Sequence, residues 1–255
     1  MGTVPKWIKA TNPYFYRYQS AAHLDRLQTI ILQHELYVPL VGQLNDPADG
    51  RPKLAEMSAR QMLAFLSNAS RNPTLTNAAQ KQALEILESA IQVRGVEEIR
   101  RQAARLLNEH VEHYRVLSLT KRYDNLSLWA KYAADHTGYC LEFVNEGPFF
   151  AEAIDVIYGE TIPMDVSNPE YPKNYFFYCK RQEWSNEEEI RLIGLPTTPA
   201  IVKIDPRWLT RIILGKDMSP DHEKQIREWA KQRQPELTID HAYFDELDLE
   251  LRLRS

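Results

Sequence analysis

Only two cysteines, Cys140 and Cys179, occur in the 255 residues of this chain. Two cysteines in a chain of this length make no disulfide framework, and buried, reduced thiols are the expectation. Long apolar runs are missing too: the longest are short, such as residues 30–32, and none would span a bilayer. Residues 1–13 carry no apolar h-region, so no secretion signal is expected. Lys6 stands where a myristoylation signal wants Ser or Thr. Neither charge sign dominates. With 31 Lys and Arg against 35 Asp and Glu, the formal net charge is -4, which makes no strong electrostatic magnet for nucleic acid but leaves room for a local basic patch. There is no G-x-G-x-x-G fingerprint, no Walker A loop, no internal repeat and no low-complexity tract. Together these absences set the expectation of a cytoplasmic protein with no membrane partner.

What is present suits a globular domain. Hydrophobic residues make up 44% of the chain, enough for a sizeable core, and charged residues 26%. Residues 14–20, YFYRYQS, are aromatic-rich and read as a strand. Ser20 then caps a helix whose apolar stripe includes Leu24, Leu27, Ile30 and Ile31. Residues 35–40 read as a second strand, and Asn45-Asp46-Pro47 as a turn. Residues 52–114 read as a helical insert, broken at Asn72-Pro73 and at Gly95. Residues 115–119 follow as a strand, and Asp124 or Asn125 caps a helix through LSLWAKYAAD. Gly138 ends that helix, and residues 139–144 and 153–158 are strands. A helix is expected over 169–183, strands at 200–204 and 211–214, and a helix over 219–233. Leu247, Leu249, Leu251 and Leu253 alternate with charged residues, the pattern of a half-buried last strand. In EEEIRLIG the same alternation sets Glu187, Glu189 and Arg191 on one strand face, with the two carboxylates ~6.5 Å apart. Strands and helices mix without a βαβ rhythm. The expected fold is therefore a single α+β domain over 1–255, with a mostly antiparallel or mixed sheet.

Each candidate group has a plainer reading beside the functional one. Glu187, Glu189 and Arg191 also suit a solvated strand face with an ion pair. Arg17 also suits a surface residue covering tyrosines. Trp129 and Tyr132, three apart on a helix, suit core packing. His110 and His113, with Glu109, have helical spacing for metal but lack a marked third ligand, so no metal is expected. His136 suits a helix-end cation, and Ser118 with His136 lacks the elbow a nucleophile needs.

Five segments fall in one order: YRYQS at 16–20, ELYVPLVGQLNDP at 35–47, LSLTKRYDNLSLWAKYAADHTGYCLEF at 117–143, KRQEWSNEEEIRLI at 180–193 and RIILGKDMSPDHEKQI at 211–226. Together they resemble the bacterial domain of unknown function 2971 family, over about residues 14–253. One departure is Ala48, where that family's pattern has an aromatic after N-D-P. The family's name carries no activity. A more distant resemblance does. An aromatic-basic-aromatic strand, a helix, a second strand and a late E-x-E strand are similar to the layout of ADP-ribosyltransferases. That resemblance implies an NAD-dependent enzyme, in a bacterial defence or toxin setting, that cleaves the nicotinamide-ribose bond. Arg17 and Tyr18 would hold NAD, and Ser20, Tyr37 and Asn45 would line its pocket. Glu189 would stabilise the oxocarbenium-like centre, and Glu187 would help activate the acceptor. The acceptor, whether protein, nucleic acid or water, stays open. The alternative is a non-catalytic module of the same fold that binds a nucleotide or a partner. A metal-dependent hydrolase through His110 and His113 is a third, weaker reading.

Overall fold

The computed structural model describes residues 8–69, 77–159 and 174–255. Its elements run β1 (Tyr14–Gln19), α1 (Leu24–Gln33), β2 (Glu35–Tyr37), α2 (Ala59–Ala69), α3 (Asn77–Arg94), α4 (Val96–Val111), β3 (Arg115–Thr120), α5 (Leu126–Tyr132) and β4 (Tyr139–Val144). They continue with α6 (Gly147–Phe150), β5 (Ile154–Asp155), β6 (Ile157–Gly159), β7 (Cys179–Arg181), β8 (Glu189–Gly194), β9 (Ile201–Lys203), β10 (Leu209–Leu214), α7 (Pro220–Lys231), β11 (Thr238–Phe244) and β12 (Leu251–Arg254). The fold is α+β. Eight strands form one sheet in the order β12-β11-β10-β4-β1-β3-β8-β5. It is antiparallel except between β10 and β11, so the sheet is mixed and mostly antiparallel.

The alternation in β1 decides how the sheet is covered. Phe15 points to one face, where Leu27, Ile31, Leu141, Ile212, Ile226 and Trp229 pack beneath α1 and α7. Tyr16 and Tyr18 point to the other, against Leu128, Trp129 and Cys140 beneath α5. Local signals set the entries and exits. The Ser20 hydroxyl accepts from Ala22 N–H in a 3₁₀ turn at Ala21–His23 that leads into α1, and α1 ends where His34 turns left-handed at φ 58°. Asn125 caps α5. Between β1 and the start of β4 the backbones touch: a Cβ on Gly138 would lie 2.2 Å from the Gln19 carbonyl oxygen, so no other residue fits there. The helices α2, α3 and α4 have a small apolar cluster of their own, Met62, Ile91 and Ile99. Among the described residues no helix is long and apolar enough to cross a membrane.

Several boundaries differ from the sequence expectation. Residues 169–173 of the expected helix lie outside the described residues. The rest is a 3₁₀ turn at Tyr175–Tyr178 followed by β7. All four residues of that turn are buried, and a one-faced helix could not bury four aromatics in succession. The last strand begins only at Leu251. Leu247 and Leu249 are 96% and 72% exposed, because Asp245 and Asp248 accept from the backbone N–H groups two residues on and turn the chain there. The expected strand at 153–158 is two short strands, and that at 35–40 stops at Tyr37. Glu187 does not lie on β8. It closes a 3₁₀ turn, Gln182–Glu187, and Glu188 is left-handed at φ 43° before the strand starts. β11 carries no expectation from the sequence.

Candidate functional site

β1 and β3 touch at one register pair, Tyr16 with Thr120. Extending that register would set Arg17 against Leu119 and Tyr18 against Ser118, and neither pair forms. β1 stays fully paired to β4 on its other edge, and β3 to β8. The sheet is therefore split along this seam. The chain after β2 closes the far end: Val116 N–H donates to the Pro39 carbonyl at 2.9 Å, and Leu40 bridges Arg115. A cleft of about 220 Å³ occupies the wedge, with β1 residues on one wall, β3 residues on the other, and Gln43–Asn45 at its rim.

The β3 side leads to a buried ionic network. Arg191 is fully buried on β8 and forks two ways. Its Nη1 and Nη2 donate to the Asp49 carboxylate at 2.8 and 2.6 Å. Its Nε and Nη2 donate to Glu189 at 2.7 and 2.9 Å. Nη1 also reaches the Phe177 carbonyl at 2.7 Å. Lys180 on β7 donates to Glu187 at 2.6 Å and to Glu189 at 2.9 Å, and lies 3.6 Å from Asp49. Glu187 in turn accepts from Lys131 at 3.1 Å and from the Tyr132 hydroxyl at 2.9 Å, both on α5. Three carboxylates and three cations are thus interleaved, which is how a protein tolerates this much buried charge. Lys131 lies 3.5 Å from the centroid of the Trp184 ring and Lys180 5.1 Å from it.

This setting fixes the protonation of Glu189. Burial pushes its carboxyl up, but the Arg191 charge and hydrogen bonds, with Lys180 and a hydrogen bond from Ser118, hold it at about 2. Lys180 goes up despite burial, chiefly because of Glu189. Burial, then Glu187, pushes the Tyr132 hydroxyl well above the usual phenol range. Glu189 is therefore a permanent anion at neutral pH. It is suited to electrostatic stabilisation and poorly suited to taking up a proton.

Arg17 is the contrasting group. On β1 it alternates with Tyr16 and Tyr18, so its side chain starts from the α1 face, and the residue belongs to the lining of both the cleft and a recess on the α1 side. Its guanidinium has five N–H donors, and the structure gives it one hydrogen bond, from Nη1 to the Tyr37 carbonyl at 3.1 Å. It makes no ion pair among the described residues. Burial lowers its pKa to about 10, which leaves it charged at neutral pH.

Five of the seven sequence candidates meet at the cleft: Arg17, Tyr18, Asn45, Glu187 and Glu189. Tyr18 contributes its ring, since its hydroxyl donates to the Arg122 carbonyl and accepts from Asn125 N–H. Asn45 donates to the Tyr132 hydroxyl at 3.2 Å. Ser20 lies outside the lining, as the cap of the turn before α1. Tyr37 is outside it too: its hydroxyl donates to Gln43, and it lines a small recess on the α1 side. Glu187 and Glu189 are brought together by the turn at Glu188 and by Lys180, and not by strand alternation. Asp49, Lys180 and Thr120 carry no expectation from the sequence, and Ser118 and Tyr132 read there only as a nucleophile without its elbow and as core packing. Asp49 stands two residues beyond the N-D-P turn and Lys180 four before Trp184, but nothing in those spacings marks a partner 142 residues away. His110 stacks edge-on to Tyr114 at 5.5 Å, remote from the cleft lining. Among the described residues no group of three His, Cys, Asp or Glu is arranged to hold a metal ion. No protein-family model, curated protein or solved structure matches this chain.

Proposed function

We propose that the chain is an ADP-ribosyltransferase-like enzyme that binds NAD in the split between β1 and β3 and cleaves its nicotinamide-ribose bond, on the domain of unknown function 2971 pattern. The observation that carries this reading is that residues of opposite charge belong to the lining of one cleft. Arg17 is a guanidinium without an ion-pair partner among the described residues, and Glu189 is a carboxylate held ionised at about 2. A diphosphate suits the first, and a ribose that gains positive charge suits the second. Arg191 and Lys180 hold the Glu189 carboxylate in one orientation, so no reorganisation is needed as charge develops. At about 220 Å³ the cleft takes one end of a dinucleotide.

The test is nicotinamide release from NAD, with calorimetric binding alongside. Arg17→Ala is expected to weaken NAD binding tenfold or more, by loss of charge-assisted hydrogen bonds. Glu189→Gln is expected to bind NAD and to release nicotinamide about 100-fold more slowly. A folded Glu189→Gln protein with unchanged turnover would sink the catalytic reading.

One observation favours a second reading, a binding module of the same fold. The Glu189 oxygens already accept from Arg191 twice and from Lys180, which takes up most of the capacity of a carboxylate. Two cations at its side also cancel much of its field. NAD bound tightly by the wild type and never turned over, under any acceptor offered, selects this reading.

A further inference from the structure

On the α1 side of β1 a recess of about 20 Å³ lies beside the cleft. Arg17 and Gln19 belong to the lining of both. The recess is also lined by Arg26, Tyr37 and Tyr139. Three features set it apart. Arg26, exposed on α1, makes no ion pair among the described residues, and its guanidinium lies 4.9 Å from the centroid of the Tyr37 ring. Arg17, as above, makes none either. The Tyr139 side chain is fully buried, and its hydroxyl has no hydrogen-bond partner. A buried donor without a partner is costly, and two guanidiniums side by side repel. Each of these groups gains from the same addition, an anion with several oxygens.

We propose that Arg17, Arg26 and Tyr139 form a phosphate subsite, in which one phosphate oxygen enters the recess to accept from the Tyr139 hydroxyl while the others lie between the two guanidiniums. The dimensions suit this arrangement: the recess holds a single oxygen atom and not a whole phosphate. The planar forks of two arginines match the anionic oxygens of a phosphate group. Arg26, on an exposed side chain, closes over the anion from outside. The subsite deepens the reading of the cleft. It rests on that reading only for naming NAD as the source of the phosphate, because Arg17 faces both spaces.

The experiment uses the full chain and inorganic phosphate as the probe, with sodium chloride at matched ionic strength as the control. Thermal midpoints are read for the wild type, Arg26→Ala and Tyr139→Phe, with NAD as a separate arm. Phosphate is expected to raise the wild-type midpoint beyond chloride, with an apparent affinity at least tenfold weaker in both variants. Without phosphate, Tyr139→Phe is expected to melt at or above the wild type, since it removes a buried hydroxyl that has no partner. A purely structural Tyr139 would instead melt lower. Phosphate acting no more strongly than chloride, or equally on all three proteins, overturns the subsite. Phosphate binding in a protein that ignores NAD leaves the subsite standing and sinks the dinucleotide reading alone.

Discussion

Tyr16 and Thr120 are the one pair that β1 and β3 hold face to face, and both belong to the lining of the cleft that opens where the strands part. The Tyr16 hydroxyl is tied to Glu142, and Thr120 donates to the Glu187 carbonyl at 2.7 Å. The apex of the wedge is thus pinned by β4 on one side and by the turn before β8 on the other, and the position of Glu187 follows from it.

Arg191 is the centre of the ionic network. Arg191→Met leaves Asp49 and Glu189 buried against each other with Lys180 alone to compensate. A loss of about 3–5 kcal/mol is expected, read as a fall in urea midpoint. A change below about 1 kcal/mol would mean that water reaches the network in solution.

Acid titration follows from Glu189. Its carboxyl is depressed from the ordinary 4.5 to about 2, so folding favours the ionised form. That contribution is fully present above about pH 4.5 and is lost as the pH falls toward 2; it amounts to about 3 kcal/mol. Stability measured down this range is expected to fall in the wild type and to flatten in Glu189→Gln.

Ser20 separates capping from ligand binding. Ser20→Ala removes the acceptor for Ala22 N–H and is expected to cost about 1 kcal/mol of stability. NAD affinity is expected to stay within twofold of wild type, measured by calorimetry at a temperature where both proteins are folded.

Tyr132 tests the rim. Tyr132→Phe deletes a bond to Glu187 and frees Asn45, at an expected cost of about 1 kcal/mol. Because both of those groups line the cleft, ligand affinity is expected to fall with it. Unchanged affinity would place the ligand away from the rim.

Sequence periodicity made much of the fold legible. Phe15 against Tyr16, the Ser20 cap and the Asn125 cap of α5 are local signals, and each acts within a few residues. The end of α5 comes earlier than the Gly138 stop expected from sequence, because the helix stops at Tyr132 and the chain turns left-handed at Ala134, Asp135 and His136. The site was legible only in part. Arg17, Glu189 and Arg191 stood out by residue type within motifs, but Lys180, which also holds Glu189, and Asp49, which holds Arg191 from 142 residues away, carry no sequence signal. Glu188 in a left-handed turn was equally hidden, because a run of three glutamates before a strand reads as the strand's own alternation. β11 was missed because His241 and Tyr243 are only half-buried, so Asp240 on its inner face obscured the pattern.

The seam has a cost during synthesis. The strands on either side of β1 lie about 100 and 120 residues further along the chain, so at 5–20 residues per second β1 waits roughly 5 to 25 seconds for either. Through that interval YFYRYQ is an unpaired aromatic segment of the kind that joins other chains edge to edge. One charge interrupts it, at Arg17. Arg17, the residue proposed above to meet an anion, is thus also a gatekeeper of this nascent strand, and replacing it is expected to lower soluble yield even where the folded state survives.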